Sequence, residues 1–497
     1  MMKQLQMFEQ LIYEPGLKRS SFSHGGVCPE DARIALEQQY ADLLHMDQRF
    51  HRKIVSYQAN KGDLVHGWIR YKEGFSAQLV DKLIKEFGIT KGETILDPFA
   101  GSATTLLVAK TKGIDAVGIE LLPMCHLAWD AKSSFDAYDV DELRNILGLL
   151  KASQPEGTDK CFPHITITES AFSETTESDL MFYADWFESL DVRPESRTLS
   201  RLILMSILEE ISYTCKDGQY LRWDYRSRKI QERNKVRIAQ GKKPFKKVDK
   251  GPLPTVKEAL VNAWSTVIAD IVALQRLNFA ESHQRLIKGN TLFVLPTLEP
   301  DQFAAVITSP PYCNRYDYTR TYALELAYLG IGDDIFDLRQ SQLSCTVENR
   351  SKLDVLREYY EQLGQSDRLE KILGVVQKSP AFVDVKGALL TRWERGEINN
   401  KGVLRMVEHY FTELTFVFAE LLRTCRSGAY VAFVNDNVRY GGEVIPVDLL
   451  STDLAHRLGF EPVKVYVLPQ RKGNSSQQMG RFGREALRKS ITVWRKP

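Results

Sequence analysis

The sequence predicts an α/β protein built on an open and mostly parallel sheet. Three short apolar runs support this prediction, at residues 94–96, 115–119 and 303–307, because each stops at a polar residue. The first run is followed by small residues and then by a helix-compatible stretch through Lys110, which is the order strand, turn, helix. Ligands of such sheets bind beyond the carboxyl ends of the strands, so we expect a site at the turns after these runs.

The turn after the first run has the composition of a ligand-binding turn. It reads Asp97-Pro98-Phe99-Ala100-Gly101-Ser102-Ala103-Thr104-Thr105. Small residues at a helix start let backbone N–H groups approach a ligand. The second run ends at Glu120, 23 residues after Asp97, and a carboxylate at that position suits a ribose diol. The alternative is that Glu120 is only a solvated strand end.

The third run leads into Thr308-Ser309-Pro310-Pro311-Tyr312. Two consecutive prolines stiffen the loop and favour extended geometry for the residue before each, so backbone carbonyls can point outward. The Ser309 hydroxyl and the Pro310 carbonyl could then accept hydrogen bonds from an amino group. Tyr312 offers a ring face for stacking, although it could instead pack beneath the loop.

Together these two strings resemble the motifs of the amino-group DNA methyltransferases. The first is similar to the family's S-adenosylmethionine-binding motif, Asp-Pro-Phe-x-Gly-Ser-Gly-Thr-Thr, and Ser-Pro-Pro-Tyr is typical of its cytosine-N4 enzymes. The resemblance covers 66–121 and 285–312, and less firmly 405–497. It implies a seven-stranded, Rossmann-like, S-adenosylmethionine-dependent methyltransferase sheet with an antiparallel hairpin at one edge.

The same resemblance implies roles for individual residues. Those expected to bind S-adenosylmethionine are Phe75, Ser76, Asp97, Pro98, Phe99, Gly101, Ser102, Thr104, Thr105, Glu120, Asn290 and Thr308. Those expected to be catalytic are Ser309, Pro310, Pro311 and Tyr312. Three residues depart from the family pattern: Ala103 replaces a usual Gly, Asn290 a usual Asp, and Ala304 a frequent Asp. We expect Ala103 to cost little at a helix start, and Asn290 to keep an acceptor but lose its charge.

The chemistry expected from the resemblance is methylation of cytosine N4. The target base must leave the duplex before its amino group is accessible. Methylation at cytosine C5 needs a thiolate, usually in a Pro-Cys dipeptide, and the sequence has none. Adenine-N6 enzymes usually carry Asp or Asn in place of Ser309. We therefore expect a site-specific enzyme of double-stranded DNA, the modification part of a restriction-modification or defence system with a possible cognate restriction endonuclease. The alternatives are an adenine-N6 enzyme, an RNA substrate, or a degenerate DNA-binding subunit.

A long insertion separates the two motifs and contains a basic segment. Residues 125–280 read mainly helical, with helices expected at 197–213 and 255–277. Between them, residues 222–250 hold 12 Lys or Arg against 3 Asp or Glu, interleaved with aromatic residues. That combination suits phosphate contact and base stacking, although charge runs are often only solvated faces. The residues expected to contact DNA are Arg222, Arg226, Arg228, Lys242, Lys243, Lys246 and Lys247.

Three regions follow from this order of parts. Residues 1–124 hold an N-terminal segment, without a motif up to residue 60, and the cofactor-binding half. Residues 125–280 are the target-recognition insertion. Residues 281–497 are the catalytic half, with a second helical insertion at about 335–405 and a Gly- and Arg-rich loop at 470–488 as another possible DNA contact.

Composition restricts the remaining possibilities. The formal net charge is +2, so the overall charge of the protein does not by itself indicate that it binds nucleic acid. Seven cysteines form no Cys-x-x-Cys pair, which favours reduced thiols and no metal site. No apolar stretch reaches the length of a membrane span, and the first residues lack a signal pattern. We therefore expect a cytoplasmic protein without metal or membrane partners.

Overall fold

The computed structural model describes residues 17–217, 220–469, 479–483 and 485–497. Its centre is an eight-stranded sheet, and two short hairpins lie outside that sheet. The strands are β1 (Leu44–Met46), β2 (Thr94–Asp97), β3 (Asp115–Glu120), β4 (Thr214–Asp217), β5 (Tyr220–Trp223), β6 (Gln284–Lys288), β7 (Phe303–Thr308), β8 (Cys425–Asp436), β9 (Val438–Tyr440), β10 (Glu443–Ile445), β11 (Glu461–Val467) and β12 (Lys489–Arg495).

Helices cover both faces of this sheet. Those that precede β6 are α1 (Asp31–Gln39), α2 (Ala77–Glu86), α3 (Thr104–Lys112), α4 (Pro123–Ser133), α5 (Val140–Ala152), α6 (Glu174–Ser189), α7 (Pro194–Ile211), α8 (Arg228–Ala239) and α9 (Val256–Gln275). Those that follow it are α10 (Thr291–Val294), α11 (Tyr318–Thr321), α12 (Ala323–Tyr328), α13 (Ile335–Ser341), α14 (Leu353–Gln362), α15 (Ser366–Gln377), α16 (Pro380–Glu394), α17 (Gly402–Thr424), α18 (Val447–Leu458) and α19 (Met479–Phe482).

The strand order confirms the predicted α/β class with a large sheet rich in parallel pairs. The order is β1-β11-β12-β8-β7-β2-β3-β6, with β12 antiparallel to both of its neighbours and the other pairs parallel. The predicted number of seven strands is one short. The missing strand is β1, whose three residues are too few to give a period-two pattern.

Alternate residues of the central strands enter different cores. Ile95 and Ala305 belong to the core beneath α2–α7 and α9, whereas Leu96 and Val306 belong to the core beneath α14–α18. A parallel sheet covered on both faces requires this continuous burial of its strands. The insertion 125–280 is mainly helical, and its buried side chains join those of α2 and the sheet in one core. The hairpin of β4 and β5 inside it was not predicted.

The end of the predicted 470–488 loop is buried. Arg488 is 2% exposed and forms ion pairs with Glu37 of α1 and Asp448 of α18. Its side chain is therefore unavailable as a DNA contact, which corrects that part of the prediction. Residues 470–478 and 484 of this loop lie outside the described residues.

Three general features bear on partners. Within the described ranges no helix is long and apolar enough to cross a membrane. The same residues contain no group of three or more His, Cys, Asp or Glu that could hold a metal ion. All seven cysteines are free thiols.

Candidate active site

A cavity opens at the carboxyl ends of β2, β3 and β7, where the two motifs meet. It encloses about 740 Å³ including its open mouth. The predicted residues that line it are Phe75, Phe99, Gly101, Ser102, Thr104, Glu120, Asn290, Ser309 and Pro311. The other predicted residues, which do not line it, are Ser76, Asp97, Pro98, Thr105, Thr308, Pro310 and Tyr312.

Asp97 connects the two motifs to each other. The Thr105 hydroxyl donates to Asp97 Oδ2 at 2.7 Å, and the Thr308 hydroxyl donates to Asp97 Oδ1 at 2.8 Å. Asp97 is fully buried, and burial raises the pKa of its carboxyl to about 6 against the pull of these hydrogen bonds. Its geometry is that of a positioning residue, because it holds the start of α3 against the end of β7.

The Glu120 carboxylate is oriented by the backbone. Oε2 accepts from the Gly101 N–H at 2.7 Å, and Oε1 accepts from the N–H groups of Leu121 and Leu122, both at 2.8 Å. Burial raises the pKa of Glu120, and the three amides oppose that rise. A carboxylate offers about four acceptor positions, so one remains for a ligand in the cavity.

The turn after β2 contains two residues with positive φ. Gly101 has φ +52°, and a Cβ built there would lie 2.7 Å from Cε1 of Tyr71. Ala103 has φ +62° in the left-handed region and is fully buried. The prediction that Ala103 costs little stability is therefore wrong. It assumed an ordinary helix start, whereas a non-glycine residue in the left-handed region is strained by about 1–2 kcal/mol.

Other predicted cofactor residues support the cavity walls. Ser76 is the N-cap of α2, accepting from the Leu79 N–H at 3.3 Å, as its position before that helix predicts. The Asn290 side chain accepts from the Leu292 N–H at 3.0 Å and caps α10. The Pro98 carbonyl accepts from the Thr291 hydroxyl at 2.5 Å. The turn after β2 is thus joined to the start of α10.

The loop after β7, residues 309–312, places Ser309 at the cavity and Tyr312 behind it. The Ser309 hydroxyl donates to the Tyr312 hydroxyl at 3.1 Å and lies 3.4 Å from the Val434 carbonyl oxygen. Tyr312 is 9% exposed, and the Lys489 ammonium lies 4.9 Å from its ring centroid. Lys489 also pairs with Asp436 at 3.0 Å. One face of the Tyr312 ring is therefore covered by Lys489.

Sequence reasoning missed several cavity residues. Tyr71, Glu73, Tyr318 and Gln342 line the cavity. Tyr71 and Tyr318 stack with their ring centroids 6.4 Å apart. Burial raises the pKa of Glu73, although nearby Lys489 and Lys72 oppose the rise. Tyr71 and Glu73 lie within residues 66–121, which the family resemblance covers, and Tyr318 belongs to a group of tyrosines after the loop that follows β7. Nothing in the sequence indicates which of these side chains reach the cavity.

The basic segment 222–250 forms an exposed arm that begins near the site. The strand β5 contacts α11, whose Tyr318 lines the cavity, and α8 has no buried residue. Arg226 is engaged within the protein, because its Nε lies 2.7 Å from Asp224 Oδ1. Lys247 pairs with Asp249 at 3.1 Å, and Arg228 with Glu232 at 3.4 Å. The remaining predicted DNA contacts, all exposed, are Arg222, Lys242, Lys243 and Lys246.

Comparison with known proteins gives consistent matches. A family model described as DNA methylase, of the N6/N4 type, matches residues 35–127. The chain is 54% identical to the type II methyltransferase M.BsoBI of Geobacillus stearothermophilus over 486 residues, which is 97% of this chain and 96% of that protein. It is 39% identical to the type II methyltransferase M.AvaI of Nostoc sp. over 472 residues, 93% of each chain.

Proposed function

Because the chain belongs to the amino-group DNA methyltransferases, we propose that it methylates the exocyclic N4 amino group of a flipped-out cytosine in a specific duplex sequence. Methyltransferases of this family use S-adenosylmethionine. The observation that supports cytosine is Ser309, which borders the cavity where adenine enzymes usually carry Asp or Asn. We further propose that the protein is the modification partner of a restriction endonuclease.

We propose that this cavity holds S-adenosylmethionine. S-adenosylmethionine supplies an activated methyl group when it is bound. We propose that Glu120 accepts a hydrogen bond from its ribose with the one acceptor position that its backbone partners leave unused. Gly101 lets the Tyr71 ring pack closely against the turn after β2, because a Cβ there would lie 2.7 Å from Tyr71 Cε1. Phe75 and Phe99 supply apolar walls, and Asn290 lies at the start of α10 with its amide in the same cavity.

The catalytic loop would orient the amino group. The Ser309 oxygen and the Pro310 carbonyl are acceptors at the end of β7, and an amino group that donates to both has its lone pair directed away from them. The Asp97 contact with Thr308 fixes this loop relative to the turn after β2. The protein would thus hold the two amino protons and keep the target base aligned with the bound cofactor.

The cysteine nearest this loop argues against carbon methylation. Cys313 is fully buried and does not line the cavity. Burial raises the pKa of its thiol well above the ordinary value. A nucleophilic cysteine needs the opposite, a lowered pKa and access to substrate. Direct transfer to nitrogen without a covalent enzyme intermediate is therefore the reaction that these residues support.

DNA would be held in part by the 222–250 arm. Its exposed cations surround a helix with no buried residue, and exposed Lys and Arg side chains can contact DNA phosphates. Arg226 is better understood as a structural residue because Asp224 and the Gly251 carbonyl already accept from it. The proposed DNA contacts are therefore Arg222, Arg228, Lys242, Lys243, Lys246 and Lys247.

Mass spectrometry of nucleosides tests this proposal. Plasmid DNA is incubated with the protein and S-adenosylmethionine, digested to nucleosides, and compared with DNA treated with the Ser309→Ala variant. We expect N4-methylcytosine with the parent protein and much less with the variant. N6-methyladenine alone would overturn the assignment to cytosine. A folded protein that binds cofactor and DNA but leaves no methylated nucleoside would instead be a DNA-binding subunit.

A further inference from the structure

The cavity has a wall contributed by the second helical insertion. Residues 341–343, at the carboxyl end of α13, line it together with Glu120 and Ser309. Gln342 is 7% exposed, and its amide nitrogen is buried without a hydrogen-bond acceptor among the residues that the structure describes. Buried polar groups in folded proteins are almost always hydrogen-bonded, so this amide is an exception that needs a physical reason.

Flexibility does not explain the unpaired amide, because the segment is held on both sides of it. The Arg339 Nε–H donates to the Thr319 hydroxyl at 3.0 Å, and Cys345 Sγ lies 3.4 Å from the Tyr316 carbonyl oxygen. The Ser344 N–H donates to Glu413 of α17 at 2.8 Å. The backbone around Gln342 is therefore fixed against the catalytic segment. The side-chain torsions of Gln342 are left to adjust to a ligand.

We infer that the Gln342 side chain donates a hydrogen bond to an acceptor atom of a nucleobase ring held in this cavity. The inference rests on the proposed function, which brings two such rings to the site: the adenine of S-adenosylmethionine and the target base. Both rings carry nitrogen or carbonyl acceptors, and a carboxamide is a common partner of nucleobases. A ligand acceptor would satisfy a donor that the ligand-free protein leaves unpaired.

Calorimetry of the Gln342→Leu variant tests the inference. Full-length protein is titrated with S-adenosylmethionine in the absence of DNA, and then with the target duplex in the presence of S-adenosylhomocysteine. If the adenine of the cofactor is the acceptor, its dissociation constant should rise about tenfold. If the target base is the acceptor, the cofactor affinity should stay constant and the duplex affinity should fall instead. Either result supports the inference.

The thermal midpoint of the ligand-free variant separates a ligand contact from a structural role. Leucine removes an unpaired buried donor, so the midpoint of Gln342→Leu should stay equal or rise. Gln340→Leu is the matched control, because the Gln340 amide donates to the Glu348 carbonyl at 3.0 Å and its oxygen accepts from the Arg350 N–H at 2.8 Å. We expect that control to have a lower midpoint and unchanged affinities.

A second variant tests whether the changed shape of the leucine side chain, rather than the lost donor, weakens binding. Gln342→Glu keeps the shape of the side chain but removes the donor, so it should weaken the same ligand as Gln342→Leu. Unchanged affinity of both variants for cofactor and for duplex would overturn the inference, as would a lowered midpoint with unchanged affinities. Failure of the parent protein to bind S-adenosylmethionine would overturn the proposed function instead.

Discussion

Glu120→Gln is the substitution that most directly separates a cofactor role from a structural one. In the parent protein, one carboxylate oxygen accepts from Leu121 and Leu122 and the other accepts from Gly101. In the variant, the carboxamide oxygen can replace the first, but the NH₂ group then faces the Gly101 N–H. One buried backbone donor is left unpaired, which should lower the free energy of unfolding by about 1–3 kcal/mol.

The variant should also bind the cofactor more weakly. A ribose hydroxyl would lose a charged acceptor, and hydrogen bonds to charged groups contribute about 1.5–3 kcal/mol. We therefore expect the dissociation constant for S-adenosylmethionine to rise about 10- to 150-fold in titration calorimetry. Glu358→Gln is the control, since Glu358 is exposed on α14. Unchanged cofactor affinity, with lowered stability, would refute the ribose contact and leave Glu120 as a support of the turn.

The pH dependence of cofactor binding should change in the same variant. Burial raises the pKa of Glu120 above its usual value of 4.5, so its carboxylate becomes protonated at a higher pH than in an unfolded chain. Protonation removes an acceptor, and the affinity of the parent should fall as the pH drops through this raised pKa. Glu120→Gln should weaken that dependence. Glu73 also has a pKa raised by burial, so the variant should keep part of the slope.

Three further predictions follow from the site and the arm. The pKa of Asp97 is about 6 in the folded protein and about 3.9 in the unfolded chain. Because the folded protein keeps this proton to a higher pH, the free energy of unfolding should fall, on the order of 3 kcal/mol, as the pH rises between these values. Asp97→Asn should remove that fall, as measured by denaturant unfolding at pH 4 and pH 7. Gly101→Ala should reduce cofactor affinity at least about tenfold and lower stability, because its φ is positive and its Cβ would meet the Tyr71 ring. Four exposed lysines of the arm are Lys242, Lys243, Lys246 and Lys247. Replacing all four by Ala should weaken DNA binding and leave cofactor affinity unchanged. The slope of the logarithm of the DNA-binding constant against the logarithm of salt concentration should become less steep by about 0.9 per lost phosphate contact.

Each of these predictions has a control within the chain. For Asp97→Asn, equal pH dependence in variant and parent would contradict the assigned pKa. For Gly101→Ala, the control is Gly148→Ala, because Gly148 is exposed within α5 with no atom near its Cβ position; equal effects of the two would mean that the turn tolerates a side chain. For the arm, the control replaces exposed lysines from other elements, and equal salt slopes for both sets would mean that the arm is only a solvated face. Those lysines are Lys91, Lys151, Lys371 and Lys378.

The sequence predicts the parts of the fold that depend on local pattern. The three apolar runs occur as β2, β3 and β7, and the helices expected at 197–213 and 255–277 occur as α7 and α9, shifted by a few residues. The N-cap role of Ser76 is also local in origin, because a cap depends on residues within one helical turn. The turn after β2 was likewise recognisable from its small residues.

The remaining features depend on contacts between distant parts of the chain. The role of Asp97 is set by Thr308, 211 positions away, and the burial of Arg488 is set by Glu37, 451 positions away. No periodicity or motif encodes either pair. Gln342 belongs to a segment without a recognisable pattern, and only the tertiary structure brings it to the cavity wall. The positive φ of Ala103 was missed because alanine favours a right-handed helix.

The pairing of β2 with β7 has a consequence for the timing of synthesis. These strands form one ladder, at Ile95 with Ala305 and at Leu96 with Val306, although 211 positions separate Asp97 from Thr308. At about 5–20 residues per second, a ribosome needs roughly 10–40 s to advance between them. During that interval one edge of β2 has no strand to pair with, and unpaired edges are where chains associate wrongly. That edge of β2 is therefore open to wrong association after the turn that follows β2 has emerged and before β7 has.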